Sequence, residues 1–331
     1  MNNKGKNILI VYVALAAAIL LTFFMSLSIG SVSVDIFSKL DELGKQIIYE
    51  IRLPRAVLAA ASGGALAISG YLLQTFFRNP IAGPYVLGIS SGAKMTAAIM
   101  MILVTSAGHV VLSIEMIGAS FAGAMLSTLV VLALSSRIRR MEVLLVAGIM
   151  MSYICSAITE FIVAFADESS IVNLHGWSQG SFSGAAFPSA AEMAVFAVFL
   201  SLIVFLLSKP IEAYRIGEVY ARSMGINVRF FSLLIIVISS LLSAIVTAFA
   251  GPVSFIGVAV PFMLRKILKS SRPFHVIPAL FMLGAVITML CDLIARTATL
   301  PTELPLSTVT AIFGAPTVLV MMAGRRRENE H

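Results

Sequence analysis

The chain has 331 residues, of which 59% are hydrophobic and only 12% charged. Soluble domains carry about a quarter charged residues, so this composition excludes an ordinary water-soluble fold and makes lipid the main solvent. The formal charge of +7 would suit a nucleic-acid binder, but the basic residues lie in short clusters between apolar stretches. There they act as topology signals, and no nucleic-acid partner is expected.

Apolar runs between charges and Gly/Pro breaks predict ten helices, near 8–29, 56–77, 86–107, 111–135, 143–166, 190–208, 230–250, 256–268, 276–295 and 306–323. Most approach the roughly 20 residues that cross a hydrocarbon core of about 30 Å, and β-barrel strands would be shorter and alternating. The expected fold is therefore all-α and integral to the membrane, a single transmembrane domain over residues 1–331. The first run follows Lys4 and Lys6 like a signal peptide, yet it is longer than an h-region and lacks a clear small-residue cleavage site. It reads as the first membrane helix. Cys155 and Cys291 fall inside apolar stretches, where a thiol behaves as a small hydrophobe, so no disulfide framework is expected.

The eighth run is too short to span alone, and charge decides whether to keep it. With the N-terminus cytoplasmic, ten crossings place 17 basic residues inside and only five outside: Lys39, Lys45, Arg52, Arg55 and Arg296. Without the short helix, the Arg265–Arg272 group and the Arg325–Arg327 cluster would both fall outside. Ten crossings with both termini cytoplasmic is the expected topology.

Two segments share a pattern. Ala82-Gly83-Pro84 with Gly88 ends the second helix, and Ala250-Gly251-Pro252 with Gly257 ends the seventh. The ten-helix topology places them at opposite faces, which predicts an inverted repeat of helices 2–5 and 7–10. Gly/Pro breaks at matching positions of two halves point to a transport pathway; coincidence between two common turn signals is the plainer alternative.

Several blocks carry a family resemblance: Arg52-Leu53-Pro54-Arg55, Gly64-Ala65-Leu66-Ala67, Gln74, Arg78-Asn79-Pro80-Ile81-Ala82 with Pro84, and Leu87-Gly88 before Ser91-Gly92-Ala93. Later come Trp177 near Gly180-Ser181, Gly217-Glu218 with Ala221 and Gly225, Phe255-Ile256-Gly257, Asp292 with Arg296, and Glu303-Leu304-Pro305. In this order they resemble the FecCD family, the BtuC-like permeases of bacterial ABC importers for ferric siderophores, haem and vitamin B12. The resemblance implies the type II ABC importer fold, no cofactor, and an importer moving an iron complex, with ferric siderophore preferred and haem or vitamin B12 as alternatives. Implied partners are a second permease copy or paralogue, two ABC ATPase subunits and an extracytoplasmic substrate-binding protein. Pro261-Phe262 and Lys269-Ser270-Ser271-Arg272 depart from the Pro-His and Asp-His-Arg patterns usual in the family, which weakens a close tie to the B12 branch.

By the same resemblance, Arg52, Arg55 and Arg296 at the outer rim receive acidic side chains of the binding protein, a task that suits guanidinium forks. Interfacial snorkelling, or pairing with Glu50 and Asp292, is the alternative. The inner connection 209–229 reads as a short amphipathic helix ending at Gly225, and the resemblance makes Tyr214, Gly217, Glu218, Ala221, Arg222 and Gly225 the segment that docks on the ATPase; a plain solvated loop is the alternative. Gln74, Asn79, Pro80, Pro84, Gly88, Gly251, Pro252 and Gly257 are candidate hinge or pathway positions, as is Glu160, and the resemblance implies that the fifth helix lines the pathway, with a candidate inner gate at Met141-Glu142. Lys94, Glu160 and Glu192 lie in or near membrane segments, where ionisable groups are functional by default, although structural roles are open to all three.

The chain has no G-x-x-x-x-G-K-[ST] run, so ATP hydrolysis would belong to another polypeptide. It also lacks H-E-x-x-H and G-x-S-x-G, which argues against an intramembrane enzyme. His109, His175 and His275 have no metal-ligand spacing, and no metal site is expected. A secondary transporter would want buried carboxylates as ion sites, for which Glu160 is the fair candidate.

Overall fold

A computed structural model describes residues 3–30, 42–106, 113–135 and 141–328. All regular structure in these residues is helical, and ten long helices carry it: α1 (Asn3–Ser28), α2 (Leu53–Phe77), α3 (Ile89–Ser106), α4 (Ser113–Ser135), α5 (Met141–Val163), α6 (Phe187–Leu206), α7 (Val228–Ala250), α8 (Ile256–Leu268), α9 (Pro273–Thr297) and α10 (Leu306–Glu328). They coincide in number and order with the ten predicted runs. Six shorter helical segments were not resolved by hydropathy as separate elements, because they are too polar or too brief to register: an α-helical turn (Glu42–Gln46) and a π-wound stretch (Ile47–Arg52) that lead into α2, a 3-10 turn (Pro84–Leu87), Glu168–Ser178, Ser208–Ile216 and Glu218–Ser223. The connection 209–229 is thus two short helices broken at Gly217, not the one expected.

Helix α2 is the hub. It is buried almost throughout and packs on α9, α7, α6 and α8, whereas α1 lies at the periphery against α9. Lipid tails are as apolar as leucine, so close helix contact must come from small residues and interhelical hydrogen bonds. Both occur here. A Cβ on Gly63 of α2 would collide with the Gly284 carbonyl of α9, and one on Gly70 would collide with the Gly257 carbonyl of α8. Ser69 Oγ donates to the Ser239 carbonyl at 2.8 Å and Ser239 Oγ to the Ser69 carbonyl at 2.9 Å, a reciprocal pair that pins α2 to α7.

The packing pattern also repeats. Helix α3 packs on α4 and α5 as α8 packs on α9 and α10, while α2 lies along α9 and α8 as α7 lies along α4 and α3. Corresponding helices are five places apart in chain order, an odd offset that makes the two halves antiparallel. The structure therefore contains the inverted repeat of helices 2–5 and 7–10 that the Gly/Pro breaks predicted.

Candidate functional site

The two breaks meet inside the bundle. Helix α2 ends at Arg78, which takes the left-handed conformation (φ 50°). Asn79 then holds the turn, its Oδ1 accepting from the Ile81 amide at 3.1 Å and its carbonyl from the Ala82 amide at 3.1 Å. After Pro80 and an extended Gly83, the 3-10 turn Pro84–Leu87 ends at Gly88, whose φ of 73° favours glycine. The second break starts at Gly251 (φ 71°), runs extended through Pro252 and closes at Phe255 (φ 63°) before α8 begins.

Depth follows from packing. Gly88 lies against Gly148 and Ser152 of α5, about 10 Å into that helix by residue rise, and Phe255 lies against Gly314, about 12 Å into α10. Gly257 faces Leu66 and Gly70 near the middle of α2, and a Cβ on it would also come within 3.0 Å of Pro84. One on Gly83 would lie 2.8 Å from Val258. The breaks therefore touch each other within the bundle, and each seats on the last helix of its own repeat. This resolves the short eighth helix. Its 13 residues rise only about 20 Å, and the extended Gly251–Phe255 stretch covers the rest.

Of the predicted hinge positions, Gln74, Pro84 and Gly257 come together here, with Gly88 close by. Asn79 and Pro80 form the turn before the first break. Gly251 and Pro252 sit nearer the other end, stitched to the helix Glu168–Ser178 and to α10: the Ser181 amide donates to the Ala250 carbonyl at 2.9 Å, and Ser307 Oγ to the Pro252 carbonyl at 2.7 Å. Glu160 and Glu192 are exposed and Lys94 is half-buried. Met141 and Glu142 open α5, but their side chains lie outside the described residues, as does His109. Among the described residues, no group of His, Cys, Asp and Glu has the arrangement of a metal site.

At the end where α1 stops, the three predicted arginines cluster, and here the structure departs from the expected free rim forks. Arg52, Arg55 and Arg296 are 4–6% exposed. Arg55 Nε reaches both oxygens of Asp292 at 2.9 and 3.1 Å, and its two Nη atoms hold Glu303 in a bidentate pair at 2.8 and 3.0 Å. Arg296 lies 3.7 Å from Asp292 and donates to Ser26 through its carbonyl (2.6 Å) and hydroxyl (2.8 Å). Arg52 donates to the Leu27 and Ser28 carbonyls at 2.7 and 2.8 Å. Three cations thus face two carboxylates and the negative end of α1, whose last carbonyls would otherwise lack donors. The pairing with Asp292 was the alternative reading of the sequence. Glu303 takes the place proposed for Glu50, which is exposed. Only the tertiary approach of the α9–α10 loop to α2 identifies Glu303; nothing in its local sequence singles it out as a partner.

The opposite end presents a different surface. Tyr214 and Ala221 are buried anchors: the Tyr214 ring packs on Phe231 of α7, and its hydroxyl accepts from Ser232 Oγ at 3.2 Å. Burial pushes the Tyr214 hydroxyl above the usual phenol range, so it stays protonated. Gly217 separates the short helices, and Gly225 (φ 80°) closes the second, with the Ile226 amide returning to the Ala221 carbonyl at 3.0 Å in a Schellman pattern. Glu218 stands between Arg78 (3.7 Å) and Arg222 (3.8 Å), all exposed. Around them Ile216, Val219, Tyr220 and Met224 expose large apolar side chains, Val219 by 85%. A cleft of about 560 Å³ opens between Arg78 and this segment.

The chain is similar to known proteins over nearly its whole length. The chain is 31% identical to the vitamin B12 import system permease protein BtuC of Citrobacter koseri, over 95% of this chain and 94% of that one. It is 32% identical to the protein of the same description from Klebsiella pneumoniae, over 94% and 93%. A solved metal-chelate type ABC transporter in an inward-facing conformation superposes with a TM-score of 0.86 at 25% identity, covering 95% of this chain and 99% of that one. The fold alone extends to PsaBC from Streptococcus pneumoniae, with a TM-score of 0.58 at 17% identity. Residues 11–324 match the FecCD transport family, and the chain belongs to that family of ABC importer permeases.

Proposed function

We propose that this chain is the membrane-spanning half of an importer that moves a ferric siderophore inward across the cytoplasmic membrane of a bacterium. Two separate ABC ATPase subunits would drive it, a second copy or a paralogue would complete the pathway, and an extracytoplasmic binding protein would deliver the substrate. Family membership over nearly the whole chain carries this reading, and the surface around Glu218 supports it. Exposed apolar side chains flanked by Arg78, Glu218 and Arg222 are what a soluble partner with an apolar groove and a charged rim would cover. In this topology that surface is cytoplasmic, as are both termini. The arginine cluster then lies on the outer face, where buried guanidiniums set the local charge and shape that the binding protein meets. The exposed faces of α5 and α10, including Ile149, Tyr153, Phe161, Ile312 and Phe313, suit contact with the second permease and the passing substrate.

The likeness to a metal-chelate transporter supports an iron complex. The names of the relatives at 31–32% identity favour vitamin B12 as a second reading. Proteoliposomes holding the chain with its ATPase and binding protein decide between them, using radiolabelled ferric siderophore and cyanocobalamin. Uptake of the siderophore that needs ATP and survives collapse of ion gradients is expected. Uptake of cobalamin alone selects the second reading, and gradient-driven uptake without the ATPase refutes both.

A further inference from the structure

Helix α8 contains Pro261 in its second turn. In an α-helix the carbonyl of residue 257 accepts from the amide of residue 261, and proline has none. The Gly257 carbonyl, at the joint where the second break becomes helix, is thus deprived of its own helical donor. It is also deeply buried, pressed against Gly70 of α2 so closely that no Cβ fits between them. A buried carbonyl left unpaired costs about 1–3 kcal/mol.

The donor comes from another helix. Gln74 is 6% exposed, and its Nε2 lies 3.4 Å from the Gly257 carbonyl and 3.4 Å from that of Val258. Its Oε1 accepts from Arg265 Nη2 at 3.3 Å, so the same side chain grips α8 again two turns further on. One turn before Gln74, Tyr71 lies under Arg215: the guanidinium is 5.7 Å from the ring centroid and 3.3 Å from the hydroxyl. Arg215 closes the Ser208–Ile216 helix and also donates to the Ser271 carbonyl in the α8–α9 connection at 2.5 Å.

We propose that Gln74 is a positioning residue of the transport cycle: it supplies the donor that Pro261 denies the Gly257 carbonyl, and through Tyr71 and Arg215 it ties that joint to the exposed segment. A helix that held its own first turn would move as a rigid rod. One held from α2 bends at Gly257 whenever α2 shifts against it. The joint is a geometric property of the chain; its use in ATP-driven motion rests on the function proposed above.

Two measurements separate these parts. In the first, hydrogen exchange is followed on the chain alone in lipid nanodiscs. Gln74→Leu is expected to speed exchange of the Val258–Leu264 amides about tenfold, and Gln74→Leu/Pro261→Ala, which restores the backbone donor, to return it to within about twofold of wild type. Unchanged exchange in the single variant, or no recovery in the double, overturns the proposal. If Gln74→Leu does not fold, folding of the double variant is the expected rescue, and its failure overturns the proposal equally. In the second, spin labels at Glu212→Cys, on the helix that carries Arg215, and at Ile312→Cys, with Cys155 and Cys291 replaced by Ala, report distance in the complex with the ATPase. The nucleotide-dependent shift is expected in wild type and lost both in Gln74→Leu and in the double variant, where α8 holds its own first turn and no longer follows α2. A shift that persists in Gln74→Leu overturns the link to the exposed segment. A wild-type complex without any shift refutes the function proposed above, while the exchange result still decides the joint.

Discussion

The two ends of this protein solve opposite problems with the same residue types. At the end where α1 stops, three buried arginines meet the buried Asp292 and the partly exposed Glu303: Arg55 is shared by Asp292 and Glu303, while Arg52 and Arg296 close the end of α1. At the other end, Arg78, Glu218 and Arg222 stand apart by 3.7–3.8 Å in solvent amid exposed apolar side chains. The first arrangement is met within the chain except at Arg296 Nε, which lies 3.7 Å from Asp292 without a hydrogen-bond partner. The second is stabilised little by its own contacts, and its apolar surface gains only when something covers it.

Mutations can break or sharpen that contrast. The largest effect is expected from Asp292→Ala, which leaves Arg55 and Arg296 buried without their common carboxylate and should cost about 3–5 kcal/mol in detergent unfolding. A loss below about 1 kcal/mol would show that the cluster is solvated and the contrast false. Next is Gly70→Ala, where the added methyl meets the backbone of α8; overpacking of this kind costs about 1–3 kcal/mol, and a neutral result would mean that α2 and α8 separate freely. Glu303→Gln should cost less than about 1 kcal/mol, since its carboxylate is 42% exposed and Asp292 still neutralises Arg55. Arg55→Glu or Arg296→Glu should weaken pull-down of the binding protein, and unchanged capture would confine the cluster to structure. The smallest stability effect belongs to Val219→Ser, within about 0.5 kcal/mol, yet ATP hydrolysis should come uncoupled from uptake. Normal uptake in that variant would leave the exposed segment without a role.

Much of this was legible beforehand, and particular residues show why. Ten helices, and the short eighth among them, followed from hydropathy and the placement of charge, because the bilayer forces lipid-exposed backbone into helices and biases arginine and lysine to one side. The matching breaks at Gly83-Pro84 and Gly251-Pro252 were visible because glycine and proline act on the backbone locally. The exposed segment was legible as amphipathic, although its division at Gly217 was not.

Tertiary structure alone decided the rest. Arg55 read first as a docking fork, with pairing to Asp292 as the alternative; its partners lie 237 and 248 residues away, and no local pattern chooses between the two. Gln74 read as a hinge or pathway position, but what it bonds to was unknown until α8 brought the Gly257 carbonyl to it. Pro261 announced a missing donor in the sequence itself; which side chain replaces it was settled only when two helices packed glycine to glycine. Sequence dictates which groups a helix cannot satisfy by itself, and packing selects what satisfies them, because hydrogen bonds and ion pairs act over a few ångströms of space whatever the separation along the chain.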